Sequence, residues 1–286
     1  MMTSDLVYKR KITKSKVIFL VITFVIFVFS FSFIFPFIWL TYTAFKPESE
    51  FIMSTVALPE GFYFGNIINI FSRPDMATVF LNSAFNSLIS VFFVVAIAFI
   101  LGYVLARFHF RGRGVVYGFF LAGMIVPIHA LLIPIFIQFR NMSMLDNRFT
   151  LIMPYIAFSL PVAMYLYDSF IRSIPKEIDE ATFMDGGSYI NIMARILFPI
   201  CRPITATVLI LSFLSLWNEF PFALVLITSS QLRTVPIWLT FFRGQYLVNI
   251  PLQLTAMLVA SLPVVILFLV FKNRIMEGMA AGAIKG

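Results

Sequence analysis

The residues best placed to do chemistry lie in one charged stretch, Ser173–Pro203 (SIPKEIDEATFMDGGSYINIMARILFPICRP), which holds four acids and three bases in a chain of long apolar runs. Glu177, Asp179, Glu180 and Asp185 supply carboxylates, but no catalytic set accompanies them. A second candidate, Asn218-Glu219, sits inside an apolar run. A carboxylate at mid-membrane costs about 2.5–3.5 kcal/mol and therefore faces a bundle interior or a water-filled cavity. Glu219 reads either as a lining of a translocation path or as the partner of a base or amide on a neighbouring helix. His129 reads as a proton relay or, with no intramembrane carboxylate near it in sequence, more readily as a packing residue. The single cysteine, Cys201, excludes an intramolecular disulfide framework and a multi-cysteine metal site. No GxxxxGK[ST] phosphate loop is present, so this chain does not itself bind ATP.

Composition says what must position these residues. Of 286 residues, 60% are hydrophobic and 12% charged, about half the charged fraction of soluble domains. That is a polytopic membrane protein. The net charge of +8 is spread in short clusters between apolar runs, which excludes the solvated basic surface a nucleic-acid binder needs. Apolar runs long enough to cross a bilayer core of about 30 Å predict six spans, at about 17–41, 81–106, 115–138, 149–171, 204–228 and 251–271. The first is too long for a signal peptide and reads as a retained helix. The polar interval 46–80 reads as a membrane-surface loop. In the second span, Asn82 and Asn86, with Ser83, Ser87 and Ser90, recur at helical spacing and read as interhelical packing. Pro127 and Pro134 interrupt the third, which favours a cavity-forming bundle over a lipid-facing helix. Asp168 can pair with Arg172 at the end of the fourth.

Charge then orients the spans. With the N-terminus inside, inner segments hold 15 of the 21 bases, as the positive-inside bias requires. Both termini and the 173–203 stretch are expected in the cytoplasm. Within that stretch a helix is expected from about Pro175 to Met184, with acids crowding its positive end. Ile178, Ala181 and Met184 would share one side, and Asp179, Glu180 and Phe183 another. Gly186-Gly187 permits a left-handed turn, Ser188 can cap a second helix, and Pro199 ends or kinks it. Such a helix–turn–helix knob is built to dock something.

The run EATFMDGGSYINIMARILFP resembles the signature cytoplasmic loop of ATP-binding-cassette importer permeases, matching it at Glu180, Ala181, Gly186, Ile196 and Pro199, with Asp185 fitting the common Asp-Gly. Thr182 replaces the second alanine of that pattern and Phe198 the leucine before the proline. Met124, Pro127 and Pro134, the Trp217–Phe220 run and the ending GMAAGAIKG are similar to the second permease of maltose-type carbohydrate importers. The resemblance implies an all-α, type I importer permease fold. It would comprise a cytoplasmic tail (1–16), a six-helix domain (17–272) with a coupling loop (173–203), and a cytoplasmic tail (273–286). It also implies a non-catalytic subunit in a prokaryotic plasma membrane. Its partners would be a homologous permease, two ATPase subunits that bind ATP and Mg, and an extracytoplasmic sugar-binding protein. Glu177, Asp179, Glu180, Ala181, Phe183, Asp185, Gly186, Ile196 and Pro199 would couple to the ATPase, and Asn218 and Glu219 would line the path. A permease for a non-sugar solute and a secondary transporter are the alternatives. The latter should show coupling-ion ligands and repeated helix pairs, neither of which is evident.

Overall fold

In the computed structural model, residues 2–242 and 249–283 are described, and every regular element among them is a helix. The chain divides into two compact units, residues 1–72 with 245–259, and residues 73–244 with 260–286. In the first, α1 (Met2–Thr43) is a 42-residue helix. The segment 1–16, expected as a cytoplasmic tail, is helical from Met2 onward and continuous with the apolar part of α1. From Ile18 to Phe37 its side chains are exposed, as befits a helix solvated by lipid rather than water. The polar interval after it folds into α2 (Glu48–Met53) and α3 (Gly65–Phe71). Asn66 Nδ2 ties α3 to the end of α1 by donating to the carbonyls of Ala44 (3.1 Å) and Lys46 (2.7 Å).

The second unit is built on α4 (Met76–Arg107) and α7 (Ile152–Ser173). Between them in sequence lie α5 (Arg113–Gly123) and α6 (Ile128–Asn141), bent by 100° to each other at the break containing Pro127. Pro134 leaves α6 unbroken. After α7 come α8 (Glu177–Met184), α9 (Tyr189–Ile200), α10 (Arg202–Trp217), α11 (Pro221–Leu226) and α12 (Val235–Thr240). The last helix, α13 (Ile250–Ala283), contains Pro263 and runs through the expected sixth span into the expected C-terminal tail. Arg243 and the closing residues 284–286 lie outside the described residues.

The core of this unit joins Val94, Ala98, Phe99, Tyr103 and Ala106 of α4 to Ala163, Met164, Tyr167 and Ile171 of α7, with Ile192, Leu197, Cys201 and Val208 beneath. The two main helices approach closely at Gly102, where a Cβ would lie 2.6 Å from Tyr167 Cβ and 2.9 Å from the Asp168 backbone nitrogen. Neither neighbour can swing away, so a side chain at 102 must push the helices apart, at about 1–3 kcal/mol or more. Gly102→Val should lower the melting temperature of the purified protein by roughly 5 °C or more, and Gly102→Ala by less. Equal melting curves for all three would contradict the contact.

The polar stripe of α4 is buried, and two of its members, Asn82 and Ser83, are hydrogen-bonded to the 231–235 segment. Asn82 Nδ2 donates to the carbonyls of Gln231 (2.8 Å) and Arg233 (3.0 Å), and Ser83 Oγ accepts from Val235 N at 2.8 Å.

Among the described residues, three helical segments are by length and composition apolar enough to cross a membrane, Ile18–Thr43, Met76–Arg107 and Ile250–Lys272, or up to five if each bent pair counts as one span. Helix α7 falls outside that set. It carries Tyr155, Ser159, Tyr165, Tyr167, Asp168, Ser169 and Arg172, and neighbouring helices bury much of it. Low hydropathy is what a span enclosed by protein can tolerate.

Candidate functional site

The charged stretch folds as a helix, a glycine turn and a second helix. Helix α8 begins at Glu177, two residues later than expected, because Pro175 stays outside it and Lys176 takes the cap position. Its end is a Schellman motif: Gly186 N donates to Phe183 O (3.0 Å) and Gly187 N to Thr182 O (2.9 Å), with Asp185 at the cap. Of the two glycines, only Gly186 adopts the left-handed conformation, at φ +77°. Ser188 Oγ accepts from Asn191 N at 3.4 Å and opens α9. That helix widens into a π-turn over Ile192–Leu197, just before Pro199, whose ring cannot sit over the carbonyl four residues back. The chain bends by 77° after Ile200, one residue past Pro199.

The expected faces of α8 are redistributed. Asp179 is not on the open side with Glu180; it turns inward, and its Oδ2 lies 2.9 Å from Arg107 Nε, the two side chains being 11% and 6% exposed. Burial pushes the Asp179 carboxyl above its ordinary range, and the facing Arg107 guanidinium offsets this only in part. Ile178 packs on the core beside it. Ala181 and Met184, expected to share a side with Ile178, are exposed instead, as are Glu177 and Glu180. The cause is the 100° step of the helix: positions 178, 179 and 182 form the arc facing α4, leaving 177, 180, 181 and 184 outside. Phe183 is 41% exposed, and its ring centroid lies 4.9 Å from that of Tyr189. Asp185 and Gly186 are exposed at the turn, while Ile196 and Pro199 are half-buried along α9.

Both departures from the loop pattern fit locally. The Thr182 hydroxyl donates to Ile178 O at 2.8 Å, so the substitution for alanine leaves no orphaned donor. Phe198 packs edge-on to Phe99 of α4, with centroids 5.2 Å apart.

The second candidate pair sits at a break. What was expected as one span from 204 to 228 is α10, then residues 218–220, then α11 with Pro221 at its start. Asn218 is exposed and donates back to Leu214 O at 2.9 Å. Glu219 holds the break: Oε1 accepts from Phe222 N (2.6 Å), and Oε2 from Ala223 N (3.2 Å) and from the Tyr155 hydroxyl (2.9 Å). The same carboxyl borders a cavity of about 160 Å³ with Tyr155, Ser159, Ser212 and Ser215 on its wall. The Asp168–Arg172 pair forms as expected, at 2.7 Å.

Sequence reasoning overlooked Arg107, Phe108 and Tyr189. Arg107, Arg111 and Arg113 lie within seven residues of one another in sequence, but nothing local marks Arg107 as the partner of an acid 72 positions away.

These features describe a multi-pass, all-helical membrane component that carries a helix–turn–helix segment between α7 and α10. Residues 95–276 match the family described as "Binding-protein-dependent transport system inner membrane component", and the chain belongs to that family. It is 35% identical to a putative ABC transporter permease protein, ORF2, of a Caldicellulosiruptor species, over 88% of this chain and 91% of that one. It is 31% identical to the sulfoquinovosyl glycerol transport system permease protein SmoH of Agrobacterium fabrum, over 88% of each. It is 29% identical to the melibiose/raffinose/stachyose import permease protein MelC of Bacillus subtilis, over 88% of this chain and 91% of that one. Its fold is that of a chain in a bacterial ABC transporter involved in the import of the acidic polysaccharide alginate, with TM-score 0.80 and 20% identity over 90% of this chain and 96% of that one.

Proposed function

We propose that this chain is one of two membrane-spanning subunits of an ATP-driven, binding-protein-dependent sugar importer in a prokaryotic plasma membrane. It would pair with a homologous permease to enclose the translocation path and receive sugar from an extracytoplasmic binding protein. Two cytoplasmic ATPase subunits would bind ATP and Mg and seat the 173–203 knob in a surface cleft. The observation that carries this reading is the family match, whose extent includes the whole knob. The carbohydrate assignment draws on relatives named for sulfoquinovosyl glycerol and for melibiose, raffinose and stachyose.

In this reading six spans cross the membrane with both termini in the cytoplasm. The α5/α6 pair and the broken α10/α11 pair each count as one, α7 is the fourth, and α9 belongs to the knob. The exposed residues Glu177, Glu180, Ala181, Phe183 and Asp185 face the ATPase, while Gly186, Ile196 and Pro199 shape the knob. Asn218 and the cavity beside Glu219 border the path. ATP-dependent uptake by the reconstituted complex, titrated against a panel of mono- and oligosaccharides, tests the whole. No uptake of any sugar with the binding protein present contradicts it.

Glu180→Lys tests the docking face. Like-charge juxtaposition at an interface costs several kcal/mol, so co-purified ATPase should fall about tenfold or more while membrane insertion is unchanged. ATPase retention equal to the parent would make Glu180 a solvated surface residue.

A further inference from the structure

Helix α8 is held to the rest of the unit by more than the chain that leads into it. Arg107, the last residue of α4, reaches Asp179 at 2.9 Å and also donates from its two terminal nitrogens to Ile174 O (3.0 Å) and Pro175 O (3.5 Å). One guanidinium thus grips both the connection from α7 and the inner face of α8. A second link is aromatic: Phe183 of α8 contacts Tyr189 (4.9 Å between centroids), Tyr189 contacts Phe108 (5.2 Å), and Phe108 contacts Tyr103 of α4 (5.7 Å). Both links end on the last residues of α4, Tyr103 and Arg107, which follow Gly102, where α4 and α7 approach closely.

A buried ion pair adds little net stability compared with apolar residues of the same size, yet removing one partner strands the other charge without its counterion. Asp179 and Arg107 therefore fix an orientation rather than strengthen the fold. We propose that Arg107 and Asp179 are a positioning pair that makes α8 and the cytoplasmic end of α4 one body. A displacement imposed on α8 is thereby delivered to α4 instead of being absorbed in residues 174–176. This inference rests on the proposed function, because it assumes that α8 is what the ATPase moves.

The test uses the complete transporter in proteoliposomes and reads sugar taken up per ATP hydrolysed. Asp179→Asn keeps the shape and removes the charge; the ratio should fall about tenfold, well within the cost of an uncompensated buried guanidinium, while the ATPase subunits still co-purify and hydrolysis continues. A deficit in folding alone would lower the yield of transporter without changing this ratio. In a Cys201→Ser background, the double replacement Arg107→Cys with Asp179→Cys should be equally uncoupled when reduced. A short thiol-specific bridge between the two should restore at least roughly half of the parent ratio, because a covalent link replaces the lost ionic one. An unchanged ratio in Asp179→Asn, or a bridged double variant as uncoupled as the reduced one, overturns the proposal. A parent transporter that shows no ATP-dependent uptake overturns instead the function on which it rests.

Discussion

A Gly186→Val protein is expected to reach the membrane, to lose its ATPase subunits on purification and to carry no substrate. The reason is backbone conformation alone. Gly186 has φ +77°, and a Cβ built on it meets nothing within 4 Å, so bulk is not the obstacle. A left-handed residue costs an L-amino acid roughly 1–2 kcal/mol, and a β-branched one is a genuine outlier there. The cheaper response is for the turn to change, breaking the bonds from Gly186 N to Phe183 O and from Gly187 N to Thr182 O and swinging α9 away from α8. The docking face would then be presented at the wrong angle. Gly186→Asn supplies the control, because asparagine tolerates the left-handed region. It should retain most ATPase binding and uptake, with Gly186→Ala in between. Uptake by Gly186→Val equal to the parent would remove the turn from any role in coupling. The contrast with Gly102 is instructive: there the conformation is ordinarily helical and the space is occupied, so the damage should appear as lost stability rather than as lost coupling.

Local signals made the knob readable. Acids at 177, 179 and 180, glycines at 186 and 187, Ser188 and Pro199 each act on their immediate neighbours, and the structure has a helix, a turn, a cap and a bend within a residue or two of where they point. The long apolar helices were legible for the same reason, since hydropathy is a local sum. What escaped the sequence depends on distant partners. Nothing near Asp179 distinguishes it from Glu180, and only the position of α4 decides which of the two turns inward. Five bases in the first 16 residues mark where the apolar run begins but not where the helix begins, because lysine and arginine are good helix formers and α1 continues through them. The break at 218–220 has a local signal: Pro221 at the first position of a new helix, with a carboxylate two residues ahead of it, is the pattern of a helix start.

That break carries the second large expectation. Glu219→Ala should lower the melting temperature of the purified protein and its uptake rate more than Glu219→Gln, and Tyr155→Phe should do least. The ranking follows from counting acceptors. Both carboxyl oxygens of Glu219 are used, one by Phe222 N and the other by Ala223 N and the Tyr155 hydroxyl. Glutamine offers one carbonyl oxygen and turns an N–H₂ toward a backbone donor, so at least one N–H loses its partner, at about 1–3 kcal/mol. Alanine strands all three donors at the mouth of α11. Phenylalanine at 155 removes a donor and leaves both backbone bonds in place, at about 1 kcal/mol. Because the acceptor capacity of Glu219 is turned to the protein, relative uptake rates among sugars should be the same in Glu219→Gln as in the parent, even though the absolute rate falls. A changed order of preference with an unchanged melting temperature would mean that the carboxyl contacts the substrate directly. In that case the hydroxyls of Ser159, Ser212 and Ser215, on the same cavity wall, would be the next to replace.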